Sequence, residues 1–133
     1  MIDLCRDAND DSRQQHNYYS ALSEHVGLRK LITERSPYVS DISRLEVLGF
    51  SKLLEDEILY FESFFASTTL IPISNEVVTE AINLRQKKKT TVGDSIIAAT
   101  ALLNDFELIT NNIKDFRWIR ELRILNPFSR KEL

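Results

Sequence analysis

The sequence predicts a parallel α/β sheet of about four to five strands with helices on both faces, and three observations carry that expectation. Short apolar runs stand at Tyr38-Val39-Ser40, Leu70-Ile71-Pro72-Ile73, Leu108-Ile109-Thr110 and Leu122-Arg123-Ile124-Leu125. Each has strand length, and helix-length segments separate them, the pattern of a sheet built by crossovers. Residues 95–103 are apolar on nearly every side and rich in alanine. A helix of that kind is buried rather than amphipathic, and its small side chains let neighbouring backbones come close. Finally, 133 residues without an internal repeat or interdomain linker is the length of one domain with a single core.

Composition narrows the function classes. Hydrophobic residues make up 43% and charged residues 28% of the chain, ordinary values for a soluble globular protein. No run of 18 apolar residues is present, so no membrane span is expected, and the polar, acidic start lacks the apolar stretch of a signal peptide. A cytoplasmic setting follows as the expectation. The single cysteine, Cys5, excludes an intrachain disulfide, and with only His16 and His25 a cysteine- or histidine-rich metal site is not expected. A formal charge of -3 confines any nucleic-acid contact to a local patch.

Taken in order, residues 1–18 cluster Asp and Asn without the alternation of a strand and read as an atypical tail. Helical periodicity begins with Leu22, Val26, Leu28 and Ile32 and stops before Ser36-Pro37. After the strand at Tyr38, Ser43 and Glu46 have the spacing of a capping box, which opens a helix carrying Val47, Leu48 and Phe50. Residues 51–67 predict a long amphipathic helix with Leu53, Leu54, Ile58, Phe61, Phe64 and Phe65 as core or as a partner surface. Pro72 suits a strand end. Ser74 or Asn75 then caps a helix with Val77, Val78, Ala81, Ile82 and Leu84 inward.

That helix ends in Arg85-Gln86-Lys87-Lys88-Lys89, where cations complement the helix dipole. The same lysines, Lys87, Lys88 and Lys89, form a candidate phosphate-contacting patch shortly before Asp94. Asp94 itself has two readings, as a helix cap or as a carboxylate presented at a helix start. A turn is expected at Asn104-Asp105, and a polar loop ending in Asp115-Phe116 after the strand at Leu108. In an open α/β sheet, ligands bind beyond the carboxyl ends of the strands, near helix N-termini. Glu46, Asp94 and Asp115 all reach for that edge. Three carboxylates without Cys or His select a hard cation, Mg²⁺ or Mn²⁺, held partly by water.

Gly93-Asp94-Ser95-Ile96-Ile97-Ala98-Ala99-Thr100-Ala101, followed by Leu108-Ile109-Thr110-Asn111-Asn112-Ile113-Lys114-Asp115-Phe116, resembles the C-terminal half of a PIN-domain nuclease of the VapC toxin type. Val39-Ser40, Ile42-Ser43 and Leu45-Glu46-Val47-Leu48-Gly49 resemble the second motif of the same family. The resemblance implies that Glu46, Asp94 and Asp115 are metal ligands and catalytic residues. It implies too that Thr110 and Asn112 orient the acidic loop by hydrogen bonds. The implied activity is metal-dependent cleavage of RNA, with an antitoxin partner and a homodimer. The competing reading is a catalytically dead PIN scaffold that binds RNA or a partner. A phosphoacceptor domain is set aside, because Ile73 is followed by Ser74-Asn75 where such a domain needs an Asp.

The chain departs from the family at its start. PIN nucleases open with an apolar strand ending in Asp-x-Asn, whose Asp is a principal ligand. Counting back places that position near Arg13, and Arg13-Gln14-Gln15-His16-Asn17-Tyr18 is neither apolar nor acidic. Codons for this stretch permit Asp-Ser-Asn-Ile-Ile-Ile in a shifted frame that rejoins at Tyr19-Ser20. The expectation is therefore a tail over residues 1–18, disordered or out of frame, a PIN-like domain over 19–133, and catalysis impaired for want of the first Asp.

Overall fold

Ser40 ends one element and starts the next. It closes strand β1 (Tyr38–Ser40), and from its extended backbone its Oγ accepts the Ile42 amide at 3.2 Å to cap helix α1 (Asp41–Leu48). The structure is a computed structural model that describes Asp3 and residues 37–126. The expected helix through Leu22, Val26, Leu28 and Ile32, the tail apart from Asp3, and the position near Arg13 lie outside the described residues.

The capping box expected at Ser43 is corrected by this junction. With the cap three residues earlier, Ser43 is fully buried inside α1 and Glu46 falls one turn further on, with no capping task. Helix α2 (Glu55–Ala66) likewise begins four residues later than expected. Leu54 is extended and caps it, its amide bound by Glu57 Oε1 at 2.9 Å. Glu55, Asp56 and Glu57 crowd the first turn, where the helix dipole favours negative charge. Phe61, Phe64 and Phe65 of α2 are buried, whereas Leu54 and Ile58 are exposed.

Strand β2 (Thr69–Ile71) pairs parallel with β1, Val39 opposite Leu70, and Pro72 lies just past its end. Helix α3 (Asn75–Lys87) is capped by Ser74, whose Oγ accepts the Val77 amide. Its buried face is Val77, Ala81 and Leu84. Val78 and Ile82, expected inward, are exposed, because each sits one residue and about 100° round the helix from that face. Helix α4 (Val92–Leu103) is the buried helix the alanines predict: Ile97, Ala98, Ala99 and Ala101 are almost wholly covered.

After α4 the chain turns through Asp105, at φ 55°, a left-handed conformation that Asp tolerates. The Phe106 amide bonds Ala101 O and the Asp105 amide bonds Leu102 O, closing the helix in a Schellman arrangement. Strand β3 (Leu108–Ile109) follows and pairs parallel with β4 (Ile124–Leu125). Between them, the expected polar loop contains a one-turn helix, α5 (Ile113–Phe116).

Successive residues of a strand face opposite sides of the sheet. Leu108 joins a core of Val77, Leu84, Ile97, Phe116 and Ile119, while Ile109 joins a second core of Val39, Val47, Phe61, Phe64 and Phe65. Helices α3, α4 and α5 therefore cover one face, and α1 and α2 the other. That is the α/β layering expected, with two parallel strand pairs among the described residues. No helix among them is long and apolar enough to cross a membrane.

Candidate metal centre

At the start of α4, Thr91 takes the capping position. Its Oγ1 accepts the Asp94 amide at 3.1 Å, so Asp94 is the third residue of the helix and not its cap. Its carboxyl group is left to face the rest of the site from a side chain only 4% exposed. Burial first, then the negative charges of Asp3 and Asp115, push the Asp94 carboxyl up to about 7. A hydrogen bond with Thr91 opposes that rise, and Glu46 adds the smallest push. A buried carboxylate beside like charges disfavours its own ionisation.

Glu46 reaches the same place from α1. Its carboxylate lies directly against Gly93 in the first turn of α4, in space that a Cβ on Gly93 would fill. Asp115 arrives from α5. Its Oδ2 accepts the Asn112 side-chain amide at 2.8 Å, and the Asn112 backbone amide donates to Thr110 Oγ1 at 2.9 Å. The Thr110 hydroxyl in turn donates to Asp3 Oδ2 at 2.9 Å. Trp118 Nε1 bonds the Asp115 carbonyl, and Lys88 Nζ stands 5.7 Å over the Trp118 ring. Lys87, Lys88 and Lys89 are all exposed.

The structure thus brings Glu46 and Asp115 within electrostatic reach of Asp94, with Thr110 and Asn112 hydrogen-bonded beside Asp115. It also brings in Asp3, which the sequence reading passed over. An acid between two apolar residues, Ile2-Asp3-Leu4, is the signal that was available, too short to read as a strand. Electrostatic reach is longer than coordination. Among the described residues, no three acidic, His or Cys side chains are grouped closely enough to hold an ion as they stand. Glu46 and Asp115, both half-exposed, have the side-chain freedom to close on one.

The donor set fits a hard divalent cation. Every charge acting on Asp94 is a carboxylate, and among the described residues no Lys or Arg offsets them. A cation would relieve their mutual repulsion, and all-oxygen ligands match its chemistry.

An α/β domain that gathers carboxylates around a helix start has the oxygen donors of the class of metal-dependent proteins. The PIN domain family matches residues 17–122. The chain is 32% identical to ribonuclease VapC1 of Rickettsia felis over 90% of its length and 85% of that protein's. It is 38% identical to a ribonuclease VapC of Rickettsia bellii, over 82% of this chain and 78% of that one. Among solved structures, a toxin-antitoxin complex from Klebsiella pneumoniae contains a chain that superposes with a TM-score of 0.69 at 26% identity, covering 95% of each chain. The chain belongs to the PIN-domain family, and within it to the VapC ribonucleases. PIN-domain nucleases use a divalent metal ion.

Proposed function

We propose that this protein is an endoribonuclease of the VapC toxin type, cutting RNA phosphodiesters with a Mg²⁺ or Mn²⁺ ion held by Glu46, Asp94 and Asp115. The observation that carries the reading is the position of Asp94, buried at the start of α4, where the charges of Asp3, Asp115 and Glu46 act on it and, among the described residues, no Lys or Arg offsets them. When bound, such an ion polarises a phosphodiester oxygen and lowers the pKa of a water.

The chain's own residues do the rest. Thr91 accepts the Asp94 amide and so fixes Asp94 in the first turn of α4. Asn112 aims Asp115 through its side-chain amide, and Thr110 fixes Asn112. Lys87, Lys88 and Lys89 contact the RNA backbone and leave its sequence unread. Lys88 stands over the Trp118 ring, whose Nε1 bonds the Asp115 backbone carbonyl, and that contact supports a role for the run near the acidic loop.

The partner is a small antitoxin, as in the Klebsiella complex, and the protein acts in the cytoplasm as a homodimer. Leu45, Leu59 and Ile82, exposed apolar side chains on three helices, leave surface for such contacts.

The test is RNA cleavage by the purified chain with and without Mn²⁺, alongside Asp94→Asn. Cleavage that needs the metal and drops at least about 100-fold in the variant is expected, the scale of a lost electrostatic contact to a transition state. RNA that is bound but never cut would instead mark a scaffold that has kept the fold and lost the chemistry.

A further inference from the structure

Where α3 ends, its last turn faces the segment that follows α5, and an open cleft of about 360 Å³ lies between them. That is within the range of small-ligand sites, roughly 300–1,000 Å³. Its floor is apolar, from Leu84 and Ile119, both almost fully buried. Two successive turns shape the other wall: the Ile119 amide bonds Phe116 O, and the Leu122 amide bonds Ile119 O. Ile119 and Leu122 thereby enter the core, while Trp118, Arg120 and Glu121 are left along the cleft.

Trp118 is half-buried, and its ring is anchored at one end, where Nε1 donates to the Asp115 carbonyl at 3.1 Å. Lys88 Nζ stands 5.7 Å from the ring centre, close to the outer limit of about 6 Å for a cation over an aromatic face. For an exposed lysine that contact is weak, so the ring can exchange it for a better partner. Lys87, Lys88 and Arg120 bring three positive charges to the cleft against the single carboxylate of Glu121, in a chain whose formal charge is -3. None of the three cations is ion-paired among the described residues. An aromatic face set among free cations suits one nucleotide of a single strand, since the base stacks and the phosphate meets the charge. An acidic peptide would use the charges and not the ring.

We propose that this cleft holds one nucleotide of a single-stranded RNA, its base on the Trp118 ring and its phosphate against Lys87 and Arg120. Lys88 gives up the ring as the base arrives and turns to the neighbouring phosphate. This rests on the RNA-cleaving reading above and deepens it, naming unpaired RNA as the substrate form and a contact outside the acidic cluster. Stacking accepts any base, so the cleft fixes the strand and does not select its sequence.

Trp118 is the only tryptophan of the chain, so its emission reports on the cleft. The experiment titrates the full chain with short oligoadenylate in EDTA, which removes cleavage, and follows Trp118 fluorescence beside the anisotropy of a labelled oligonucleotide. Saturable quenching that tracks the anisotropy is expected. Trp118→Leu should weaken binding by about 10- to 100-fold, the scale of one stacked base, and Trp118→Phe should recover most of it. Arg120→Gln, at an exposed residue, should flatten the plot of log affinity against log salt by about 0.7, and it keeps the test open should Trp118→Leu fail to fold. Binding without a change in Trp118 emission overturns the proposal, as does a parent chain that binds no oligoadenylate. Equal quenching by inorganic polyphosphate overturns it in favour of a patch that reads charge alone, and equal quenching by polyglutamate in favour of an acidic protein partner. With the metal removed, these outcomes are separate from catalysis. A chain that cuts RNA without quenching keeps its activity and loses the cleft, whereas one that quenches and never cuts keeps the cleft alone.

Discussion

The Glu46 carboxylate rests on the backbone of Gly93, where only a missing side chain leaves it room. Two elements far apart in sequence thus meet at an acid and a glycine. The helix start that positions Asp94 also seats the acid from α1.

Gly93→Ala should separate folding from function. Alanine gains up to about 1 kcal/mol of helix propensity over glycine. The atom it meets is the end of a flexible side chain, so the fold can yield there. Stability is expected to stay within about 1 kcal/mol of the parent in a denaturant melt. RNA cleavage should fall by about 10- to 100-fold, as for other displaced ligands. Parent-like cleavage would mean that Glu46 need not occupy this place.

The pH dependence of the metal-free protein follows from Asp94. Its carboxyl, at about 7 when folded, lies above the ordinary value of 3.8. Between those values the folded chain holds a proton that the unfolded chain has released. Its stabilising contribution is therefore full below the lower value and declines as pH rises toward 7. Each pK unit is about 1.4 kcal/mol, so the whole swing is on the order of 4 kcal/mol. In EDTA the melting temperature should fall from pH 4.5 to 7.5 by more in the parent than in Asp94→Asn. Added Mn²⁺ should raise it more at pH 7.5 than at pH 5, because the ionised carboxylate is the ligand. Equal pH slopes for parent and variant would remove Asp94 as the source.

The lysine run should reveal itself through salt. Replacing Lys87, Lys88 and Lys89 by Gln should weaken RNA binding and flatten the plot of log affinity against log salt by about 2, from roughly 0.7 per phosphate contact. An unchanged slope would leave the run as a solvated helix end.

What the sequence made legible was local. Asn112 and Asp115 lie three residues apart, as do Thr91 and Asp94, and such pairs meet through short-range geometry. The central helix was legible as well, because a run of alanines and isoleucines has few other places to go. Exposed Val78 and Ile82 were misplaced because an apolar helix shows its pattern without stating its phase. The cap at Ser40 was hidden because several nearby polar residues could each start a helix. Asp3 was beyond reach for a different reason. It meets Thr110 across 107 positions, and no spacing rule spans that distance. The frame reading of the tail concerns residues 13–18, outside the described residues.

Strand β3 is only two residues long, yet it divides Leu108 and Ile109 between the two hydrophobic layers. Neither layer can melt by itself, since detaching either one pulls the same dipeptide out of register. Unfolding of the described domain should accordingly be a single event, with no half-folded species of appreciable population. The acidic loop that leaves this strand inherits its rigidity. A protease would then find it cleavable only when the whole domain opens, and amide exchange at Ile109 and Thr110 should report the global free energy of unfolding.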